Sequence, residues 1–328
     1  MTAPGEQRLS AIGKALLALG DQWTLLIIQR ALLGRASRFA QWRDQLGMSE
    51  SVLAGRIKEL VAAGLLQPRP YRDEGRTRTE YILTPQALEL WPLLTAIWSW
   101  EREWVERPAG LPDLVHDVCG RSTDVDLGCQ VCHTAPVTAR DTEAIRGAAS
   151  AFGQVAVARH HRRTARGRMP KDPLSYFPDT MEILGDRWST VLLAASFLRV
   201  RRFADFESEL GVAPSILSDR LRRFCQLGVL DAKVPADGGR AEYRLTDKGL
   251  AFFPVLAFLA DWAQRWYAGT ADSALTILHR TCGQTLVPYL RCRTCEKPLE
   301  RAQLHFVLET GSVATDTAQL PPVVRSDL

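Results

Sequence analysis

Two stretches of the chain place apolar residues at helical spacing in nearly the same arrangement. Residues 48–66, MSESVLAGRIKELVAAGLL, bring Leu53, Ile57 and Leu60 onto one face, and residues 212–230, VAPSILSDRLRRFCQLGVL, do so with Leu217, Leu221 and Phe224. A short polar run precedes each stretch. Gly64 or Gly228 stands where a helix should stop, with a β-leaning segment after it. The opposite face carries Ser51, Ala54, Gly55 and Lys58 in the first stretch and Ser215, Ser218, Asp219 and Arg222 in the second. These are small residues with scattered charge, suited either to plain solvation or to close approach into a groove.

The pattern around these stretches repeats too. LLALGDQWTLLII at 16–28 returns as MEILGDRWSTVLL at 181–193, Arg38-Phe39 as Arg202-Phe203, EYILT at 80–84 as EYRLT at 242–246, and WPLL at 91–94 as FPVL at 253–256. The offset drifts from 165 (16 to 181) to 162 (91 to 253), so one module is written twice with small loop insertions. Each copy predicts the same order. A first helix runs through the LGD-W motif around Trp23 or Trp188, and a short second helix covers 37–46 or 202–210. The third is the stretch above. Two β-leaning segments follow as a hairpin: 65–72 and 79–83 about Asp73-Glu74-Gly75, then roughly 229–234 and 241–245 about Asp237-Gly238-Gly239. Thr84-Pro85 and Thr246-Asp247 cap a further helix, broken at Pro92 or Pro254, and a tryptophan-rich helix continues to about Val105 or Tyr267. Trp98, Trp100 and Trp104, with Trp262 and Trp266, exceed what a three-helix core needs; beyond core packing, they suggest a helix that pairs with another module.

Composition narrows the classes. A chain of 328 residues has room for two cores, and 46% hydrophobic with 24% charged residues is ordinary for a soluble globular protein. A net charge of +4 says little about nucleic acid, so local clustering has to carry that argument. The start, MTAPGEQRLS, lacks a basic segment followed by an apolar core, and no apolar run reaches membrane-spanning length. The expectation is a cytoplasmic protein with no membrane partner. Seven cysteines, six of them in a spaced pattern, do not suggest a secreted disulfide framework.

A short helix, a small-faced third helix and a hairpin follow one another as in a winged helix-turn-helix, where the third helix enters the major groove and the hairpin is the wing. The motifs LGDxW, Arg-Phe before the second helix, S-x-L-x-x-R-(I/L) in the third and EYxLT closing the wing occur in order, twice. In this the chain resembles the HxlR-type winged helix-turn-helix regulators over roughly residues 10–106 and 175–268. The resemblance implies sequence-specific binding of double-stranded DNA, usually by homodimers of one-module chains whose terminal helices pair. Two modules on one chain imply an intramolecular pseudo-dimer instead, with further homodimerisation left open, and they call the usual two-fold symmetric operator into question.

Base reading needs short polar or bidentate groups near the third helix's N-terminus, and phosphate binding needs long cations. The candidates in module one are Ser49, Ser51, Ala54, Gly55, Arg56 and Lys58 on the helix and Arg72, Arg76 and Arg78 on the wing, where Arg69 also lies. In module two they are Ser215, Ser218, Arg220, Arg222 and Arg223 on the helix and Arg240 beside the wing. Wing one sets its arginines against Asp73, Glu74 and Glu80. Wing two is poorer, with Lys233 and Arg240 facing Asp231, Asp237 and Glu242, while helix two is richer in arginine. An asymmetric DNA site is expected, module one leaning on its wing and module two on its helix; taken singly, each arginine is equally well a solvated charge. Residues 141–160 read as helical before the basic run RHHRRTARGRMPK, which is either a solvated tether or a phosphate-tracking linker.

After each module comes the same element, HDVCGRSTDVDLGCQVC at 116–132 and HRTCGQTLVPYLRCRTC at 279–295, both H-x2-C-G-x8-C-x2-C. Three thiols and one imidazole in two knuckles are a tetrahedral zinc set, and four protein ligands make a structural rather than a catalytic site. The proposed ligands are His116, Cys119, Cys129 and Cys132 for one zinc and His279, Cys282, Cys292 and Cys295 for the other. The rival is a thiol switch. Cys225 aligns with Val61 and reads as a buried apolar position, and His133 and His305 read as surface residues.

The expected fold is therefore mainly α with small β-hairpins (α+β): module one at 1–110, Cys/His arm one at 111–140, a helical then basic linker at 141–173, module two at 174–273, arm two at 274–310 and a tail at 311–328. The expected function is a sequence-specific DNA-binding transcriptional regulator, not an enzyme. No phosphate loop or nucleophile–base constellation is visible. The alternatives are a winged-helix scaffold for protein contacts and a redox- or effector-responsive switch, with weak or lost DNA binding in module two. An apolar pocket between the wing-side and aromatic helices is a place for a small-molecule effector, which no residue identifies.

Overall fold

The computed structural model describes residues 10–19, 22–106, 111–146, 177–185, 187–234, 240–268 and 275–307. Module one comprises α1 (Ala11–Leu19), α2 (Gln22–Gly34), α3 (Phe39–Leu46), α4 (Glu50–Ala62), β1 (Leu66–Asp73), β2 (Arg76–Leu83), α5 (Pro85–Leu88) and α6 (Trp91–Trp104). Strands β3 (Asp113–His116), β4 (Arg121–Ser122), β5 (Val125–Cys129) and β6 (Thr142–Arg146) form arm one. Module two repeats the order with α7 (Pro178–Leu184), α8 (Arg187–Phe197), α9 (Phe203–Leu210), α10 (Pro214–Gln226), β7 (Leu230–Lys233), β8 (Glu242–Leu245), α11 (Asp247–Leu250) and α12 (Phe253–Tyr267). Arm two holds β9 (Leu275–His279), β10 (Gln284–Thr285), β11 (Pro288–Cys292) and β12 (Leu304–Val307).

Leu53, Ile57 and Leu60 of α4, and Leu217, Leu221 and Phe224 of α10, are buried, as their spacing predicts. Trp42 and Phe206 on the short second helices are fully buried beneath them, and Trp42 Nε1 donates to the Ile27 carbonyl at 3.2 Å. Thr84 and Thr246 each link three segments. Each hydroxyl accepts from the N–H three residues on and donates to the carbonyl of Gly64 or Gly228, fastening the end of the wing to the end of the third helix.

The structure departs from expectation at three places outside the third helices and the wings. The LGD-W motif does not lie within one helix but divides two; α1 and α2 meet at 79°. In module two the reason is visible at Gly185, which ends α7 by donating to the Met181 carbonyl, and where a Cβ would lie 2.4 Å from that same oxygen. Residues 142–146 are strand β6 rather than helix, paired antiparallel with β9 of the other arm, so a tertiary partner overrides local preference. Third, each arm does not close on itself. The sheets are β12-β3-β4, β10-β9-β6 and β11-β5, each uniting strands from both arms. Gly128 makes the β11–β5 pairing possible, since a Cβ there would sit 2.3 Å from the Tyr289 ring. The basic run, the turn at 237–239 and the tail lie outside the described residues.

The two modules pack against one another through the tryptophan-rich helices. Helix α6 touches α12, α1 lies along α12, and α7 lies against α6, so the first helix of each copy leans on the terminal helix of the other. Trp100 Nε1 donates to the Lys248 carbonyl at 3.0 Å, and Trp262 Nε1 to the Gln86 carbonyl at 2.9 Å. Trp266 Nε1 donates to Glu89, which Arg265 also engages. Trp100 meets Phe252 edge-on at 4.9 Å. The carboxylate of Glu101, wholly buried, accepts from the Thr180 N–H at 2.7 Å in the first turn of α7, where the helix dipole favours a negative charge. No single described helix is long and apolar enough to cross a membrane.

Candidate functional site

The exposed face of α4 is short-chained at its N-terminal end. Ser49 is the N-cap, without a side-chain cap bond, and its hydroxyl lies 3.4 Å from that of Ser51. Ala54, Gly55 and Lys58 are exposed beyond them, and a Cβ at Gly55 would meet nothing. Arg56 is half-buried and ion-paired to Glu59 at 2.5 Å, which leaves Lys58 as the more outward cation.

Wing one is two eight-residue strands joined by a two-residue turn at Glu74-Gly75. The register sets Arg76 opposite Asp73, Arg78 opposite Tyr71 and Arg69 opposite Glu80, all on one face, with Arg72 and Thr77 on the other. Asp73 is engaged by Arg78 at 3.2 Å and Glu80 by Arg69 at 2.7 Å. The Arg69 hydrogen bond holds the Glu80 carboxyl below the usual range. Arg72 and Arg76 are exposed, with no ion pair among the described residues. Arg38, left unassigned from sequence although Arg-Phe recurs in both copies, lays its guanidinium 4.5 Å from the centre of the Tyr71 ring and braces the wing.

Module two differs. Its wing strands have four residues each, Lys233 pairs with Asp231 at 3.5 Å, and Arg244 with Glu242 at 2.9 Å. On α10, Ser215 and Ser218 are exposed, but Arg220 and Arg222 converge on Asp219 at 3.1 and 3.5 Å. Arg223 turns away from the exposed face to Glu182 of α7 at 3.2 Å. Arg240 is exposed.

All eight proposed metal ligands come together, but in exchanged sets. His116 and Cys119 of arm one meet Cys292 and Cys295 of arm two; Cys129 and Cys132 meet His279 and Cys282. The expected grouping within each arm is thus corrected. The eight-residue spacer runs out through β4 and β5 to pair with the other arm, so the two knuckles of one arm point to different clusters. In each cluster the donor atoms lie within 4.8 Å of one another. Cys119 and Cys295 Sγ are 3.7 and 3.4 Å from His116 Nδ1, and Cys132 and Cys282 Sγ are 3.3 and 3.5 Å from His279 Nδ1. A tetrahedron with zinc–ligand bonds of standard length has a sulfur–nitrogen edge of about 3.6 Å. The donor set and its spacing therefore fit a four-coordinate soft-ligand ion. A hydrogen bond with Thr134 brings the Cys132 thiol down to about 6. Burial pushes the Cys292 thiol up, but hydrogen bonds with Thr123 and Cys295 outweigh it and bring it to about 6. Both are ready to bind as thiolates. Cys225 is half-buried and its thiol is pushed up by burial; His305 is exposed and lies 2.7 Å from Asp117, and His133 is exposed.

The model of the HxlR-like helix-turn-helix family matches residues 18–109 and 183–270. MT3179 of Mycobacterium tuberculosis (strain CDC 1551 / Oshkosh), an uncharacterized HTH-type transcriptional regulator, is 35% identical over 117 residues, covering 35% of this chain and 73% of its own. YvaP of Bacillus subtilis (strain 168), of the same description, is 34% identical over 92 residues, covering 27% of this chain and 85% of its own. The crystal structure of PA1607 shares 34% identity with a TM-score of 0.33, covering 42% of this chain and 91% of that one. The two family matches span more than half of the sequence and coincide with the two helix–hairpin–helix modules, so the chain belongs to the HxlR-like helix-turn-helix family and carries its module twice.

Proposed function

We propose that the two modules act as an intramolecular pseudo-dimer that reads one DNA duplex asymmetrically. The broader role, a winged helix-turn-helix transcriptional regulator of a non-catalytic class, rests on the family and its relatives. The observation that carries the finer reading is the pairing of α6 with α12 inside one chain, which holds two recognition helices with exposed small faces in a fixed relation. Ser49, Ser51, Ala54, Gly55 and Lys58 approach base edges, and Arg72 and Arg76 of wing one supply phosphate or minor-groove contacts. Module two contributes Ser215, Ser218 and Arg222 with a shorter wing.

The test is binding to duplexes flanking the protein's own gene, titrated with salt against random-sequence competitor. Discrimination by tenfold or more, with a salt slope that flattens in Arg72→Ala/Arg76→Ala, supports this reading. Absence of binding at low salt defeats it. A second reading, in which module two serves protein contacts, is favoured by one observation: all three helix arginines there are already engaged by carboxylates.

The metal proposal is two zinc ions per chain, each in a Cys3His set drawn from both arms. Bound there, zinc supplies a cross-link rather than chemistry. A metal assay on freshly purified, reduced protein that finds no stoichiometric zinc refutes it and turns attention to thiol exchange.

A further inference from the structure

An apolar cavity of about 100 Å³ lies in the half of the molecule around α8 and α12, walled also by α1, β6 and β9. In the other half the equivalent place is filled, and the duplication shows how. By the offset of 162, Trp98 of α6 corresponds to Ala260 of α12 (98 to 260). The strand registers supply a second equivalence. Phe306 on β12 stands opposite Leu114 on β3, two residues before His116; Ala144 on β6 stands opposite Ile277 on β9, two residues before His279. Trp98 and Phe306 fill their half in edge-on contact at 5.5 Å, and Trp98 Nε1 donates to the Pro112 carbonyl at 3.0 Å. Their counterparts Ala260 and Ala144 both line the cavity. Two rings that touch in one copy are two methyl groups in the other. Neighbours relax only partly around a missing ring, so two rings missing side by side leave a shaped space.

We propose that this cavity is a binding site for a small, uncharged, mainly apolar molecule, of the size of a single aromatic ring or a short branched alkyl group. The lining includes Leu16, Val191, Phe253, Leu256 and Leu275, and no charged side chain contributes to it among the described residues. A carboxylate or ammonium entering it has no partner and loses its hydration. The polar lining residues are Thr142 and Thr190, whose hydroxyls donate to the Ala139 and Ile183 carbonyls at 3.0 and 2.9 Å. The volume is somewhat below that of apolar protein cavities of about 150 Å³ that admit benzene. Ile12, Leu256, Ala260 and Leu275 are half-buried rather than sealed, which gives a path from solvent. An occupant touches elements of both modules and both arms at once. The site does not depend on whether the chain binds DNA.

The experiment is calorimetric titration of the full chain with toluene, and with benzoate as a charged match, followed by the same titrations on Ala144→Phe/Ala260→Trp. That variant rebuilds in this half the pair of rings the other half already holds. One saturable toluene site per chain, weakened at least tenfold in the variant and absent for benzoate, is the expected result. No saturable toluene binding, or binding that the variant leaves unchanged, overturns the site. Benzoate binding as tightly as toluene overturns the ligand class. Should the double variant fail to fold, Ala144→Leu, a smaller intrusion, is expected to weaken toluene several-fold with native circular dichroism, and no weakening there is equally fatal.

Discussion

Module one presents a long hairpin with Arg72 and Arg76 unengaged among the described residues and a terminal helix whose Trp98 is plugged into Phe306; module two has short wing strands, self-paired helix arginines and alanines where that plug would be. The backbone order is the same in both. A homodimer displays every substitution twice, so a change that suits one half of a complex is imposed on the other. Duplication within one chain removes that coupling. One copy has a filled core and an open cationic wing, while the other has a cavity where that core volume would be.

The sharpest way to break this comparison starts where the halves are most alike, in the metal clusters. Crosswise pairing predicts that Cys119→Ser with Cys295→Ser damages one site and leaves one zinc per chain, while Cys119→Ser with Cys129→Ser damages both and leaves none. Pairing within each arm predicts the reverse. Elemental analysis with thermal melts reads both, and the second pair is expected to lower the melting temperature further, since a structural zinc contributes on the order of 10–16 kcal/mol of apparent binding energy. Next comes the plug. Trp98→Ala is expected to cost about 3–5 kcal/mol in denaturant unfolding, whereas cutting back its counterpart, Ala260→Gly, removes no ring and is expected to cost about 1 kcal/mol, mainly through helix propensity.

DNA binding should then distinguish the wings. Arg72→Ala/Arg76→Ala is expected to weaken binding roughly tenfold or more and to lower the salt slope by about one unit for each phosphate no longer neutralised. Arg222→Ala/Arg240→Ala in module two should do less, and equal losses would sink the asymmetric reading. The smallest effect is expected at the module seam. Glu89→Ala removes an exposed ion pair with Arg265 and a bond from Trp266, and should change stability by about 1 kcal/mol or less.

Much of this is legible in the sequence because it is local. The stripes Leu53–Ile57–Leu60 and Leu217–Leu221–Phe224 and the tryptophans Trp98, Trp100 and Trp262 state their burial, and Thr84 and Thr246 their capping, within one turn or one helix, whereas Trp266 stays exposed. The ligand types are legible for the same reason. Their pairing is not, because two arms with the same spacing offer the same donors, and only the strand register β5–β11 decides which knuckle faces which. Strand β6 reads locally as helix since its partner lies more than a hundred residues away. The cavity leaves no local signature because it depends on Ala144 and Ala260 jointly, and neither alanine is unusual alone.

The exchange of ligands between the arms also fixes an order of events during synthesis. Cys295 lies 179 residues from His116, and His279 lies 147 residues from Cys132. A ribosome that has finished module one and arm one has made half of each donor set and a whole set of neither. Each cluster is completed only when its far knuckle emerges, so zinc bound in both sets would report a chain made through Cys295, and a fragment cut short before arm two would hold neither set whole.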